Sequence, residues 1–130
     1  MDPGSIRELA QSYTEAWCSR DAGRVAAHYA PGATIVINGG EPAAIEEVAA
    51  SFIAAFPDIT VYQDDLVVGD EVVEYHWTFT GTSAETGKWV RIPGYEEWTI
   101  DDDGLIASSL GHFDEMEYDR QLEEGAGADA

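Results

Sequence analysis

Apolar residues recur at helical spacing through the first part of the chain and at every second position in the later part, with the change near residue 59. Ile6, Leu9, Ala10, Tyr13, Ala16 and Trp17 form a first helical stripe, and Ser5 with Glu8 has capping-box spacing at its start. Asp21 is placed to cap a second, short helix with Val25, Ala26 and Tyr29 on one face, stopped by Pro31-Gly32. Residues 33–37 are a β-branched run, hence a strand, ended by Asn38-Gly39-Gly40. Pro42 stands where a first helical turn tolerates it. Ile45, Val48, Ala49, Phe52 and Phe56 then make a third helical stripe closed by Pro57.

The period-two part predicts four strands, over 59–68, 71–82, 88–100 and 105–113. Gly69-Asp70 separates the first two and Asp101-Asp102-Asp103-Gly104 the last two, connections short enough for antiparallel neighbours. Residues 115–122 read as a terminal helical turn or two, and 125–130 as a small, acidic, frayed end. One domain is expected across 1–130, with an ordered core of about 5–122 and an acidic tail over 123–130. Helices followed by a meander make an α+β arrangement, with the helices on one face. A strongly curved sheet so covered encloses a cavity.

Charge alters the list of partners more than the fold. Asp and Glu number 26 against 6 Lys and Arg, a net charge of -20, and Lys88 is the only lysine. Such a field repels phosphate backbones and anionic membranes, so nucleic acid is not an expected partner. The acids alternate with apolar residues over the whole chain, the pattern of an acidic surface on a folded domain. Adaptation to high salt follows as an expectation, because counterions screen the self-repulsion. The stability midpoint should therefore rise between dilute buffer and molar KCl; a flat response would remove the idea. Cys18 is the only cysteine, so no internal disulfide can form, and nothing resembles a leader or a membrane span. A cytoplasmic location is expected.

Strand alternation places side chains without any template. In "VVEYHWTFT", Val73, Tyr75, Trp77 and Phe79 share one face and His76 falls on the other, where it reads as a surface or interface histidine. In "VRIPGYEEWTI", Glu96 goes inward with Val90, Ile92, Gly94 and Trp98, whereas Glu97 goes outward with Arg91 and Thr99. A carboxylate on an apolar face loses solvation, so its pKa should rise. It then suits a general acid or a donor to a carbonyl, or it is a buried acid satisfied by a tyrosine or a backbone amide. A bulge at Pro93-Gly94 would reverse this phase. The last strand is mixed on both faces, so alternation does not orient "LGHFDEMEYDRQL"; it says only that His112 and Asp114 share a side. No third metal donor has suggestive spacing beside them. Tyr13 and Trp17 lie on the buried stripe of the first helix, where the Tyr13 hydroxyl could donate into a pocket. His28 reads as a satisfied structural histidine, and no phosphate loop or nucleophile elbow is present.

"YTEAWCSRDAGRVAAHYAPGATI" resembles the opening helices and first strand of the nuclear transport factor 2-like superfamily. "AAFPDI", "YHWTFTGT" and "DGLIASSLGHFDEMEYDRQL" resemble, more narrowly, its SnoaL-like polyketide cyclase branch. The likeness implies a cone-shaped, strongly curved, mostly antiparallel sheet wrapped by three N-terminal helices over a deep pocket, commonly in a homodimer. In some members of that branch an aspartate ending the last strand is the acid/base of an aldol closure, and Asp114 occupies that place. Ketosteroid isomerases, a sister group, use a first-helix tyrosine and a protonated acid on a late strand; Tyr13 and Glu96 look like those positions. Their proton-carrying carboxylate would fall at Ile37, which argues against that activity here. The connection "SAETGKW" is shorter than the excursion of many SnoaL-like proteins, which suggests a more open rim.

One expectation is thus a cofactor-independent enzyme for aldol cyclisation, isomerisation or dehydration of an apolar carbonyl compound. In it Asp114 moves the proton, His112 tunes it, and Glu96 with Tyr13 stabilises an enolate oxygen. Trp17, Trp77, Trp98 and Phe113 supply apolar walls, with Tyr75, Phe56 and Asn38 completing the binding surface. The alternatives are a non-catalytic ligand-binding module of the same fold, or a partner surface on the outer sheet face at His76, Arg91 and Glu97.

Overall fold

A computed structural model describes residues 2–126. Its first helix, α1 (Pro3–Cys18), begins earlier than the Ser5–Glu8 spacing suggests. The Asp2 carboxylate accepts from the Ser5 amide at 2.8 Å, and Pro3 sits in the first turn, where its fixed φ and missing N–H fit. The stripe of Ile6, Ala10, Tyr13, Ala16 and Trp17 is buried against the sheet. Asp21 caps α2 (Ala22–Ala26) through the amides of Gly23 and Arg24, as its position predicts. His28 has both ring nitrogens partnered, by Ser12 Oγ at 2.7 Å and the Arg24 carbonyl at 2.8 Å.

Strand β1 (Thr34–Ile37) is followed by a two-residue strand, β2 (Ala43–Ala44), which pairs back onto Thr34 and Ile35. Pro42 therefore precedes a strand, and helix α3 (Ile45–Ala55) starts after it, with Glu46 and Glu47 favourably placed in the first turn. Then come β3 (Thr60–Val68), β4 (Val73–Thr82), β5 (Trp89–Ile100), β6 (Ile106–Phe113) and a terminal helix, α4 (Glu115–Glu124). The six strands lie in the order β2-β1-β6-β5-β4-β3. Every pairing is antiparallel except β1 with β6, which brings the first strand beside the last. This is the expected α+β fold, a curved sheet with helices over its inner face.

The core fills the space between them. Val25, Ala49, Phe56, Val90, Trp98 and Ile106 are fully enclosed there. Between Thr99 and Ile100 the β5–β6 register shifts, leaving Ala107 without a partner. That extra residue lets Ile106 and Ser109 both point inward. Gln121, buried on α4, stands beside β5 where β6 has ended. Its Oε1 accepts from the Arg91 amide at 2.7 Å and its Nε2 donates to the Arg91 carbonyl at 3.1 Å. The Ala126 amide continues the contact to the Trp89 carbonyl at 2.8 Å. Gly125 and Ala126 are thus tied down rather than frayed, and helix occupies the start of the stretch read as tail; 127–130 lie outside the described residues. Among the described residues no helix is long and apolar enough to cross a membrane.

Candidate functional site

Alternation along β5 carries Glu96 inward. Val90, Ile92, Glu96 and Trp98 are buried while Arg91, Pro93 and Thr99 are exposed. The register with β4 runs unbroken from Val73 opposite Trp98 to Thr82 opposite Trp89, so there is no bulge at Pro93-Gly94 to reverse the phase.

Four side chains converge on the Glu96 carboxyl. Oε1 accepts from Ser109 Oγ at 2.8 Å, Tyr29 Oη and Trp98 Nε1 at 3.0 Å each, and Tyr13 Oη at 3.2 Å. Oε2 has one contact, again with Tyr13, at 3.3 Å. Each donor is positioned by a different part of the chain. Tyr13 sits on the buried stripe of α1, and Tyr29 follows α2 and is fixed by a backbone bridge to Ile106. Trp98 is wedged by stacking on Tyr75 at 4.8 Å between ring centroids and by an edge contact with Tyr13 at 5.2 Å. Ser109 faces inward in alternation with Gly111 and Phe113, and the bulge at Ala107 lets Ile106 face inward as well.

Burial pushes the Glu96 carboxyl above its ordinary value of 4.5, against the downward pull of the four donors. The Tyr13 and Tyr29 hydroxyls are pushed well up, first by burial and then by the neighbouring Glu96 charge, so both stay protonated donors. With Oε1 filled, Oε2 is the oxygen left to carry a proton or meet a ligand.

Glu96 lies in the wall of a chamber between the sheet and α3. Its cavity volume is about 60 Å³, open to solvent at one end and bounded by Trp17, Ile35, Phe52, Tyr75, Trp77, Phe113 and other apolar side chains. Among the described residues Glu96 is the only carboxyl in that wall. Trp17 and Tyr75 are buried, and Ile37, Val48, Phe52, Trp77 and Phe113 are partly exposed, which marks them as the mouth.

The structure brings together part of the expected set. Trp17, Tyr75, Trp77, Phe113 and Glu96 line the chamber. Tyr13 and Trp98 stand behind Glu96 as its donors, so Trp98 holds the acid and is not a wall. Phe56 is packed in the core against Phe79, with ring centroids 5.2 Å apart. Asn38 lies outside the chamber and joins β1 to the start of α4: its Oδ1 accepts from the Phe113 amide at 2.9 Å and its Nδ2 donates to Glu115 at 2.9 Å.

The larger correction concerns His112 and Asp114, which do share a side but not the chamber's. With Ser109, Gly111 and Phe113 inward, His112 points out, stacks on Tyr95 at 4.7 Å and places Nε2 2.7 Å from Glu97 Oε2. Asp114 has left the strand and caps α4 by accepting from the Glu117 amide at 3.1 Å. Both border a shallow outer groove with His76 and Tyr95, separated from Glu96 by the sheet. Tyr29 and Ser109 were not anticipated as site residues. Tyr29 had a faint signal in its place on the second apolar stripe; Ser109 shares the face of Phe113 by alternation, but both faces of that strand are mixed and did not single it out. Among the described residues no three His, Cys, Asp or Glu side chains are grouped to hold a metal ion.

Comparison with known proteins places the fold among relatives. A family model described as a SnoaL-like domain matches residues 10–109. AclR, a candidate hydroxylase from Streptomyces galilaeus, superposes with a TM-score of 0.81 at 17% identity, covering 93% of this chain and 97% of its own. A candidate polyketide cyclase from Acidithiobacillus ferrooxidans gives 0.78 at 22% identity, with 97% and 100% covered. TerC, co-crystallised with polyporic acid, gives 0.76 at 16% identity, with 91% and 98% covered. No curated protein sequence matches the chain.

Proposed function

Because the chain belongs to the SnoaL-like domain family, we propose that its chamber binds an apolar, carbonyl-bearing small molecule and that Glu96 exchanges a proton with it. One observation carries this reading: a single carboxyl, with one oxygen free of strong partners, set in an otherwise apolar wall. A raised pKa brings the acid nearer neutrality, where it can both take and return a proton. Ionised Glu96 removes a proton from the carbon beside the carbonyl, the C–H electron pair enters the enolate, and protonated Oε2 later gives the proton back. Tyr13, Tyr29, Trp98 and Ser109 hold the carboxyl in place and share its charge while it is ionised. A step of this kind opens an aldol cyclisation, an isomerisation or a dehydration. The neighbour co-crystallised with polyporic acid and the candidate polyketide cyclase support small, carbonyl-rich ligands.

1-Tetralone in D2O tests the step without knowledge of the natural substrate, because deuterium uptake at its α-carbon reports proton exchange by mass. The wild-type protein should accelerate uptake. Glu96→Gln should lower that acceleration by about 100-fold or more, and Asp114→Asn should leave it unchanged. Loss in the Asp114 variant alone would move the chemistry to the outer groove.

A second reading, ligand capture without chemistry, has its own support, since four donors already satisfy Oε1. Binding of 1-tetralone with no accelerated exchange would select it. For the outer face, where His76, Tyr95 and His112 stack across three strands and Leu110 is 44% exposed, the proposed occupant is a second copy of the chain.

A further inference from the structure

Trp77 carries the one buried side-chain polar atom without a hydrogen-bond partner among the described residues, its indole Nε1–H. A buried donor left unpaired is uncommon in a native fold and signals a partner outside the chain's own atoms. Trp77 lines the chamber that Glu96 lines, and the register makes the two diagonal neighbours on one face: Trp77 is opposite Gly94, and Glu96 opposite Tyr75. Diagonal partners of this kind have backbones about 7–8 Å apart, within reach of one small ligand for long side chains. The indole cannot settle freely elsewhere, because its six-membered ring rests on the bare Cα of Gly94, where a Cβ would stand 2.5 Å from Cη2. Phe79 and Phe113 close on it at 6.1 and 6.4 Å between ring centroids.

We propose that Trp77 is a catalytic residue whose Nε1–H donates to the ligand's carbonyl oxygen and holds it as the enolate forms, while Glu96 works on the adjacent carbon. The proposal rests on the chamber being the ligand site and names what it selects: a flat, apolar compound with a hydrogen-bond acceptor beside an acidic C–H. Each group then has a separate task. Glu96 handles the proton, and Trp77 takes the charge that its removal leaves on oxygen. The arrangement discriminates against hydrocarbons of the same shape, which would bury the N–H and leave it unpaired.

The test compares 1-tetralone with tetralin, which has the same rings and no carbonyl, on the wild-type protein and on Trp77→Phe. Tetralone should bind wild type at least 10-fold more tightly than tetralin, and the Phe variant should lose that preference while still binding tetralin. Deuterium uptake by tetralone should fall at least 10-fold in Trp77→Phe. In ¹H–¹⁵N spectra the indole resonance that is missing from the variant should move downfield with tetralone and hardly at all with tetralin. An unchanged preference and exchange rate in a folded Trp77→Phe protein would overturn the role of Trp77 and leave the chamber reading intact. An indole resonance indifferent to tetralone while exchange proceeds would do the same, making the partner of Nε1 a water. Failure of wild type to bind either probe would sink both readings.

Discussion

Glu96→Ala should destabilise the protein by about 3 kcal/mol at pH 4, the sum of a buried cavity and orphaned donors, and by progressively less as pH rises. Tyr13 and Tyr29 keep each other as partners, with hydroxyls 3.3 Å apart, so they lose least. Trp98 is fully buried and among the described residues its Nε1 has no other acceptor, so it loses most. The pH dependence follows from the raised pKa of Glu96. In the fold the carboxyl binds its proton more tightly than in the unfolded chain, whose ordinary value is 4.5. Its stabilising contribution is therefore complete below that pH and is lost as pH climbs through the folded value. Denaturation of wild type and variant side by side from pH 4 to pH 8 isolates this group, because the other carboxylates cancel in the difference. A gap that widened with pH would mean that the four donors outweigh burial and that Glu96 is held ionised, which would remove its capacity to act as an acid.

The second large effect is expected from Gly94, the glycine against which Trp77 packs. Gly94→Ala should cost about 3 kcal/mol or more, at or beyond the upper end of ordinary overpacking. The added carbon would lie 2.5 and 2.6 Å from Trp77 Cη2 and Cζ2, and 2.6 Å from the backbone carbonyl oxygen of His112. Swinging the indole away moves it into the chamber. Shifting the carbonyl instead breaks the pairing of Gly94 with Phe113 at the end of β6. Neither relief leaves the site intact, so denaturant midpoint and tetralone binding should fall together. A stable Gly94→Ala protein that bound tetralone normally would show that the indole has more freedom than this packing allows. Chain reversal is not the reason for this glycine; a close approach of backbone and ring is.

What could be read in advance divides along the line between local and distant causes. The position of Glu96 was legible because β5 is regular, and alternation through "VRIPGYEEWTI" sufficed. His112 and Asp114 were not, because one unpaired residue, Ala107, changes the phase of β6 and nothing in "LIASSLGHF" announces it. The two-residue β2 and the parallel pairing of β1 with β6 leave no periodic trace, since they depend on segments far apart in the chain. Convergence of Tyr13, Tyr29 and Ser109 on one carboxyl is likewise a product of packing. The family resemblance located the fold and, by analogy, the pair Tyr13 and Glu96; it pointed to Asp114 as well, which this chain uses to start a helix. The local capping rule also misled at the first helix, where Asp2-Pro3 competes with Ser5 and wins.

The pairing of Gln121 with Arg91 bears on how the protein behaves in a crowded solution. From Trp89 to Pro93, β5 has lost β6 as a neighbour, and a bare strand edge is a template on which other chains can assemble. One side-chain amide offers the same donor and acceptor as a strand peptide, so a helix takes the place that a foreign strand would fill. Pro93, two residues along on the same side, has no N–H to offer there at all. The C-terminal segment therefore covers an edge on which strands could otherwise pair, without adding a strand to the sheet.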